Sequence, residues 1–289
     1  GARPAGEGIG WGTMTDSAFA DLASTLTSRW PEHRVAPSLD RIRALMELLG
    51  DPQRAVPVIQ VAGTNGKGST AIMIETLLRA TGLRVGRFAS PHLQDVRERI
   101  VIDGEPISRE DFVRVWEDIA PYVRMVDDRA LDGVAMTFFE VITGMAYAAF
   151  ADAPVDVAVM EVGLGGRWDA TSVADAQVAV VCPVGMDHMH ILGSTLAEIA
   201  GEKAGIIKPH ATVVLAGQEP AAAEVLLRRA VDVGARVRAE GPDFGLLDRQ
   251  PGVMGQLLRM ETEGGPVGDV FLPLHGEHMA RNATLAVAA

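Results

Sequence analysis

Short apolar runs alternate along this chain with longer stretches in which apolar residues recur every three or four positions. The apolar runs cover residues 56–61, 83–88, 155–162, 176–181 and 212–216. The amphipathic stretches that follow them include residues 67–81, 108–126, 195–204 and 220–233. The valine-rich runs at 155–162 and 176–181 are typical of parallel strands covered on both faces. The alternation therefore predicts an α/β fold with a doubly wound, mostly parallel sheet.

The two ends of the chain have different patterns. Residues 243–274 contain short apolar runs separated by Gly and Pro turns, which predicts a small antiparallel β addition. A helical pattern then begins at Gly276 and continues to Ala289. At the other end, the Gly-rich start predicts a flexible tail over residues 1–14, followed by a helix over residues 16–30. We therefore expect one domain over residues 15–289.

The first long apolar run leads into a glycine-rich segment with a lysine and hydroxyl side chains, which read from residue 63 GTNGKGST. Strand, glycine loop and helix in this order form an anion site, because backbone N–H groups at the helix N-terminus face the ligand. Lys67 would reach the terminal phosphates, and Ser69 or Thr70 would hold Mg²⁺. Val61 and Gly68 depart from the usual P-loop consensus, so a glycine-rich turn with a solvated lysine is the alternative.

Two further polar clusters follow predicted strands. Glu161 ends one strand, and Asp187 and His188 follow the next. Ligands of parallel sheets bind at the carboxyl ends of strands, so these groups and the glycine loop can surround one divalent ion. Oxygen ligands favour Mg²⁺, whereas imidazole also suits Mn²⁺. The alternatives are a structural carboxylate at Glu161 and a His188 that binds no metal.

Two motifs are open to a structural or a functional interpretation. Glu202 and Lys203 are either a solvated charge pair or a carboxylate beside a buried lysine near the phosphate site. The loop after the second strand contains residues 90–93, SPHL, and residues 98–100, ERI. Polar loops between strands often carry binding groups, although a plain surface loop has the same composition.

Composition excludes several classes of protein. The chain has 289 residues, 48 % of them hydrophobic, and a net charge of −12, which argues against general nucleic-acid binding. Cys182 is the only cysteine, so no disulfide can form within the chain. No apolar run is long enough for a transmembrane helix, and no signal peptide is visible. We therefore expect no membrane partner, a cytoplasmic location and a monomer.

Taken together, the motifs resemble the folylpolyglutamate synthase and dihydrofolate synthase family of the Mur ligase superfamily. The strings that carry the resemblance stand in the family's order at residues 63–70, 90–93 with 98–100, 137–140, 161–171, 187–188, 202–206 and 282. Each string alone is weak, and seven in order are specific. The strings at 90–93 and 161–171 favour the folate branch over the cell-wall branch.

The resemblance implies an ATP-dependent ligase that joins L-glutamate to dihydropteroate or to a folate. In this reaction the acid's carboxylate attacks the γ-phosphate of ATP, and the glutamate amine then attacks the acyl phosphate. The protein's task would be positioning and charge neutralisation.

The resemblance also implies roles for individual residues. The ATP site would comprise Thr64, Asn65, Gly66, Lys67, Gly68, Ser69 and Thr70, with Asn282 beside the adenine. Mg²⁺ would be bound by Ser69, Glu161 and His188. Lys67, Lys203 and His188 would take part in catalysis, with Lys203 carbamylated, and a monovalent cation is also implied. The pteridine end of the acid would face Ser90, Pro91, His92, Leu93, Phe138, Phe139, Asp169 and Ala170.

Two features depart from the family pattern. Ser172 stands where members usually have Asn, and we expect a mild effect because Ser also forms hydrogen bonds. The chain ends near the position where the family's second domain begins, so we expect it to contain the ATP-binding domain alone. The alternatives are a Mur-type ligase for a different acid and a nucleotide-binding module without catalysis.

Overall fold

The main sheet has the strand order β4-β3-β2-β5-β1-β6-β7-β8. In the computed structural model, which describes residues 11–29 and 37–289, these strands are β1 Val58–Ala62, β2 Val85–Phe88, β3 Ile100–Ile102, β4 Glu105–Pro106, β5 Val157–Glu161, β6 Val178–Val181, β7 Thr212–Leu215 and β8 Arg236–Ala239. Strands β2, β5, β1, β6, β7 and β8 run parallel, and β3 and β4 add an antiparallel edge. The predicted doubly wound, mostly parallel sheet is confirmed.

Helices cover both faces of this sheet. They are α1 Trp11–Thr27, α2 Asp40–Leu48, α3 Lys67–Ala80, α4 Arg109–Asp128, α5 Phe138–Asp152, α6 Met189–Leu192, α7 Leu196–Lys203, α8 Pro220–Asp232 and α9 Glu277–Ala288. Helices α3 and α9 pack on the face formed by Ile59, Val61 and Val159. Helices α1, α2, α4, α5, α7 and α8 cover the opposite face. No helix in this described part of the chain combines the length and apolar content needed to cross a membrane.

The predicted antiparallel addition is present as a separate three-stranded sheet. It consists of β9 Gly245–Pro251, β10 Gln256–Thr262 and β11 Gly265–Leu272, with β10 in the centre. Leu258 and Met260 on β10 pack against Ala280 and Ala283 of α9. Because α9 also packs on α3, this small sheet is attached to the phosphate-loop side of the domain.

Local sequence signals set several element boundaries. Ser108 accepts a hydrogen bond from the backbone N–H of Asp111 and caps α4. Thr137 and Glu140 form a capping box at the start of α5. The first helix begins at Trp11, ahead of the predicted start at residue 16. Residues 1–10 of the predicted tail, and the predicted helix end at residue 30, lie outside the described residues.

The strand order determines where loops meet. β1 lies between β5 and β6 and is in parallel register with both. The loops after β1, β5 and β6 therefore leave the sheet at neighbouring positions on one edge. Crevices of this type at the carboxyl ends of parallel strands are the usual ligand sites of doubly wound sheets.

Candidate functional site

The glycine loop after β1 is held between two other parts of the chain. Gly63 has a φ of 146°, and a Cβ on it would lie 2.5 Å from Cβ of Cys182, which follows β6. Gly66 has a φ of 87°, and a Cβ there would lie 2.8 Å from Oδ1 of Asn282 in α9. Both positions need glycine because the backbone conformation and the close neighbours exclude a side chain. The loop conformation is therefore fixed by its packing.

Two lysines meet at the start of this loop. The Nζ atoms of Lys67 and Lys203 donate to the same oxygen, the backbone carbonyl of Gly63, at 3.1 and 2.9 Å. Lys203 is only 4 % exposed. Burial, together with the positive charge of Lys67, lowers the pKa of Lys203 to about 8. The structure thus places Lys203 at the phosphate loop and rules out the surface charge pair.

Close backbone packing explains how Lys203 reaches the loop. The N–H of Arg167, in the segment after β5, donates to the carbonyl of Glu202 at 2.8 Å. A Cβ on Gly166 would lie 2.8 Å from that same oxygen, and one on Gly205 would lie 2.4 Å from Cα of Arg167. Glycines at these positions let the segment after β5 lie directly against the C-terminal end of α7, which carries Lys203.

The loop hydroxyls have different surroundings. Thr64 Oγ1 donates to the carbonyl of Gly185 at 3.1 Å and accepts from its N–H at 3.0 Å, which ties the loop to the segment after β6. Thr70 is fully buried, and its hydroxyl lies 3.5 Å from the sulfur of Cys182. Ser69 Oγ donates to the carbonyl of Gly66 at 3.2 Å and accepts from Nδ2 of Asn282 at 2.9 Å. Ser69 and Asn282 therefore meet at the N-terminal turn of α3.

Glu161, the last residue of β5, places a carboxylate beside this turn. A Cβ on Gly68 would lie 3.6 Å from both of its carboxylate oxygens. Burial raises the pKa of Glu161 to about 7, although the charge of Lys67 and a hydrogen bond from the Ser90 N–H oppose the shift. A buried carboxylate with a raised pKa is stabilised by a cation, and carboxylate and hydroxyl oxygens suit Mg²⁺. Glu161 and Ser69 thus fit a magnesium ion.

The other predicted metal ligand, His188, lies in the wall of the neighbouring cavity. Its backbone is left-handed, its side chain is about half exposed, and Nε2 lies 3.5 Å from Oδ2 of Asp187. Among residues 11–29 and 37–289, no three His, Cys, Asp or Glu side chains converge as a metal cluster. The metal role of His188 stays a prediction.

A largely apolar cavity of about 540 Å³ is enclosed by the segments after β2, β5 and β6 and by the start of α5. Of the residues predicted to face the acid, it is lined by Ser90, Pro91, Phe139, Asp169 and Ala170, and His188 also contributes. Three others lie elsewhere. Phe138 is a buried core residue, Leu93 is 90 % exposed, and His92 accepts a hydrogen bond from Arg99.

Sequence reasoning missed part of the cavity wall. Trp168, Leu164, Ile191 and Leu192 also line it. Trp168 and Leu164 fall inside the 161–171 string, so their position in the motif was a usable signal. The apolar side chains Ile191 and Leu192 lie on the short helix α6, which was not predicted.

The carboxylate of Asp169 holds the backbone of a cavity-lining segment by hydrogen bonds. Its Oδ2 accepts the N–H groups of Gly163 and Leu164 at 2.9 and 3.0 Å, and its Oδ1 accepts the N–H of Thr171 at 3.0 Å. Burial raises the pKa of this carboxyl despite these hydrogen bonds. Asp169 thus shapes the loop that separates the cavity from Glu161.

The chain matches the family described as the Mur ligase middle domain over residues 126–289. It is 52 % identical over 284 residues to the dihydrofolate synthase/folylpolyglutamate synthase of Mycobacterium tuberculosis, covering 94 % of this chain and 58 % of that protein. It is 36 % identical over 274 residues to the protein of the same name from Bacillus subtilis, covering 94 % of this chain and 63 % of the relative.

Solved structures show the same similarity. Mycobacterium tuberculosis folylpolyglutamate synthase complexed with ADP superposes with a TM-score of 0.90 at 50 % identity, covering 95 % of this chain and 61 % of that one. An FPGS–AMPPCP–folate complex superposes with a TM-score of 0.87 at 35 % identity, covering 93 % and 65 %. The chain thus spans about three fifths of the length of these relatives.

Proposed function

The chain belongs to the Mur ligase middle domain family, and from this premise we propose that it is the nucleotide-binding part of an ATP-dependent ligase. The proposed ligase joins L-glutamate to dihydropteroate or a folate, which makes it a dihydrofolate or folylpolyglutamate synthase. Similarity to enzymes with those names, 52 % and 36 % identical, supports this choice of acid.

One structural observation carries the proposal: Glu161 lies between the phosphate loop and the cavity. On one side its carboxylate borders Gly68 and the N-terminal turn of α3. On the other, the backbone N–H of Ser90, which lines the cavity, faces the carboxylate and favours its ionised form. A nucleotide on the loop and an acid in the cavity would therefore meet near one carboxylate. This arrangement is what transfer of a phosphoryl group between them requires.

The residues around the loop would act by positioning and by neutralising charge. An oxygen of the acid's carboxylate forms a bond to the γ-phosphorus while the bond from phosphorus to ADP breaks. The glutamate amine then forms a bond to the acyl carbon, and inorganic phosphate leaves. Lys67 and Lys203 would face the phosphate oxygens, whose negative charge spreads during transfer.

Magnesium fits the oxygen ligands at this turn. Glu161 and Ser69 would hold the ion, which when bound supplies positive charge for the β- and γ-phosphate oxygens. We also propose that His188 would contact this ion through a water molecule, because it lines the neighbouring cavity.

Lys203 and the monovalent cation are finer parts of this proposal. The lowered pKa of Lys203, about 8, leaves part of the amine neutral near neutral pH. That nitrogen can form a bond to the carbon of CO₂ and release a proton, giving a carbamate. A carbamate would place an anion beside Lys67 and supply oxygens for a second ion. Native mass spectrometry in bicarbonate, with and without the Lys203→Arg substitution, tests the modification.

The test of the proposed function uses the chain itself and a longer protein in which the chain is extended to the length of these relatives. Nucleotide binding is measured by calorimetry with the non-hydrolysable analogue AMPPCP and Mg²⁺. Ligation is measured with ATP, Mg²⁺, ¹⁴C-glutamate and either dihydropteroate or tetrahydrofolate. Label in the pteridine product supports the proposal and identifies the acid. AMPPCP binding by a protein that ligates neither acid would contradict it and favour another acid acceptor or a non-catalytic module. Light scattering of the same samples tests the predicted monomer.

A further inference from the structure

The carboxylate of Glu98 accepts hydrogen bonds from three successive backbone N–H groups in the loop between β2 and β3. Its oxygens accept the backbone N–H groups of Leu93, Gln94 and Asp95 at 2.7, 3.0 and 2.9 Å. These hydrogen bonds hold the pKa of Glu98 below its usual range, since they stabilise the ionised form. Three successive N–H groups on one carboxylate define the backbone path of residues 93–95.

Packing does not hold this part of the loop. Leu93 is 90 % exposed, so burial of its side chain adds little to the loop conformation. In the part of the chain that the structure describes, these three N–H groups donate to the oxygens of Glu98. Asp95 is also held by its ion pair with Arg97 at 2.7 Å. The carboxylate of Glu98 therefore matters most for Leu93 and Gln94. Hydrogen bonds to a charged group are stronger than neutral ones.

Arg99 ties the same loop to the cavity wall on α5. Its backbone carbonyl accepts the N–H of Ala89 at 3.1 Å, which closes the loop at its base. Its Nε donates to Nδ1 of His92 at 2.8 Å, and its guanidinium carbon lies 4.9 Å from the ring centroid of Phe138. The next residue, Phe139, lines the cavity.

Two residues of the loop between β2 and β3 contribute to the candidate site. Ser90 and Pro91 line the cavity, and the backbone N–H of Ser90 faces Glu161 and favours its ionised form. Their place in the wall follows from the loop path, since residues 93–95 are fixed by Glu98 and Ala89 is fixed by Arg99. Glu98 itself is not among the cavity-lining residues, so any effect on the site passes through the loop.

We propose that Glu98 is a positioning residue that keeps the 90–95 loop preformed as a wall of the acid-binding cavity. Its carboxylate makes the three hydrogen bonds before the acid arrives, so less ordering is needed on binding. The expected effect on the acid substrate rests on the proposed function. The effect on the loop does not, and it can be measured without turnover.

The experiment compares Glu98→Ala and Glu98→Gln with the wild type and with Glu117→Gln, an exposed glutamate on α4. Hydrogen exchange by mass spectrometry reports on the amides of residues 93–95. Steady-state kinetics in the longer protein give KM for the acid, KM for ATP and kcat. We expect faster exchange at residues 93–95 in Glu98→Ala, and a KM for the acid raised about tenfold, the scale of one or two hydrogen bonds to a charged group. KM for ATP and kcat should stay within about twofold, and Glu98→Gln should lie between, as it keeps one acceptor oxygen.

Unchanged exchange at residues 93–95 in Glu98→Ala would overturn the proposal. Faster exchange with an unchanged KM for the acid would also overturn it, because the loop would then not contribute to acid binding. An equal rise in KM for ATP would overturn it as well, because Glu98 would then contribute only to general stability. If the wild type ligates neither acid, the proposed function fails. In that case two measurements without turnover decide whether Glu98 is a positioning residue. They are hydrogen exchange at residues 93–95 and the affinity of both variants for dihydropteroate, measured by calorimetry.

Discussion

The ammonium groups of Lys67 and Lys203 share one hydrogen-bond acceptor, the carbonyl oxygen of Gly63, at 3.1 and 2.9 Å. Their nitrogen atoms can therefore lie no more than about 6 Å apart. Two positive charges this close in a partly buried site repel each other, and one neutral carbonyl does not compensate. A polyanion on the loop would relieve that repulsion, so the arrangement of the two lysines is electrostatically suited to a nucleotide phosphate.

Replacing Lys67 by Ala should weaken binding of AMPPCP with Mg²⁺ at least about tenfold, since a charged hydrogen bond to phosphate is lost. The measurement is calorimetry at fixed ionic strength. Arg124→Ala, which removes an exposed positive charge on α4, is the control for net charge. Equal affinity of Lys67→Ala and the wild type would remove the phosphate-loop assignment.

Stability of the nucleotide-free protein should depend on Glu161 between pH 4.5 and 7. Its folded-state pKa of about 7 lies above the ordinary 4.5, so folding favours the protonated form. The stabilising contribution is complete below pH 4.5 and is lost as the pH rises to about 7. The loss is on the order of 3 kcal/mol at most.

Urea unfolding of wild type and Glu161→Gln at several pH values in this window measures the effect. The free energy of unfolding of the wild type should fall as the pH rises, relative to that of Glu161→Gln, because Gln does not titrate. Glu117→Gln should follow the wild type. Parallel pH profiles for wild type and Glu161→Gln would show that Glu161 is not a buried, strained carboxylate.

The adjacent phenylalanines at the start of α5 should differ in their effects. Phe138 is 5 % exposed and belongs to the main core, so Phe138→Ala should destabilise the fold by about 3–5 kcal/mol. Phe139 lines the cavity, so Phe139→Ala should weaken acid binding with a smaller loss of stability. Thermal unfolding and calorimetry with dihydropteroate separate the two effects. Equal losses of stability would contradict this division.

Gly205 and Gly201 form a matched pair for testing the packing that places Lys203. A Cβ on Gly205 would lie 2.4 Å from Cα of Arg167, whereas a Cβ on Gly201 in α7 would meet nothing within 4 Å. Gly205→Ala should cost about 1–3 kcal/mol and weaken nucleotide binding, because Lys203 moves with the backbone. Gly201→Ala should stabilise by up to about 1 kcal/mol through helix propensity. The readouts are chemical unfolding and AMPPCP affinity, and a harmless Gly205→Ala would contradict the packing argument.

Most elements could be predicted because their signals are local. The buried strands β1 and β5 are mostly apolar runs, and Ser108 caps α4 by a side-chain contact three residues away. The four-residue helix α6 was missed because so short a segment has no helical period. In the candidate site, Lys67 and Ser69 lie in the first turn of the helix after β1, and Glu161 ends β5, as the motifs predict.

The assignment of the cavity wall was less complete. Both phenylalanines at the start of α5 fit the pattern, and only the rotation of the helix against the core decides that Phe138 is buried and Phe139 faces the cavity. Likewise, residues 90–93 form one motif, yet Ser90 and Pro91 line the cavity whereas Leu93 is exposed. Such differences depend on contacts with residues distant in sequence.

The sequence by itself determined the α/β class, the parallel strands and the glycine loop between β1 and α3. Apolar runs must be covered on both faces, and a glycine loop between strand and helix exposes N–H groups to an anion. The tertiary structure alone decided that Lys203 meets Gly63, 140 residues away. That contact depends on the order β5-β1-β6 and on backbone packing at Gly166 and Gly205. Local patterns encode which element forms, whereas the contacts between elements depend on shape complementarity across the whole fold.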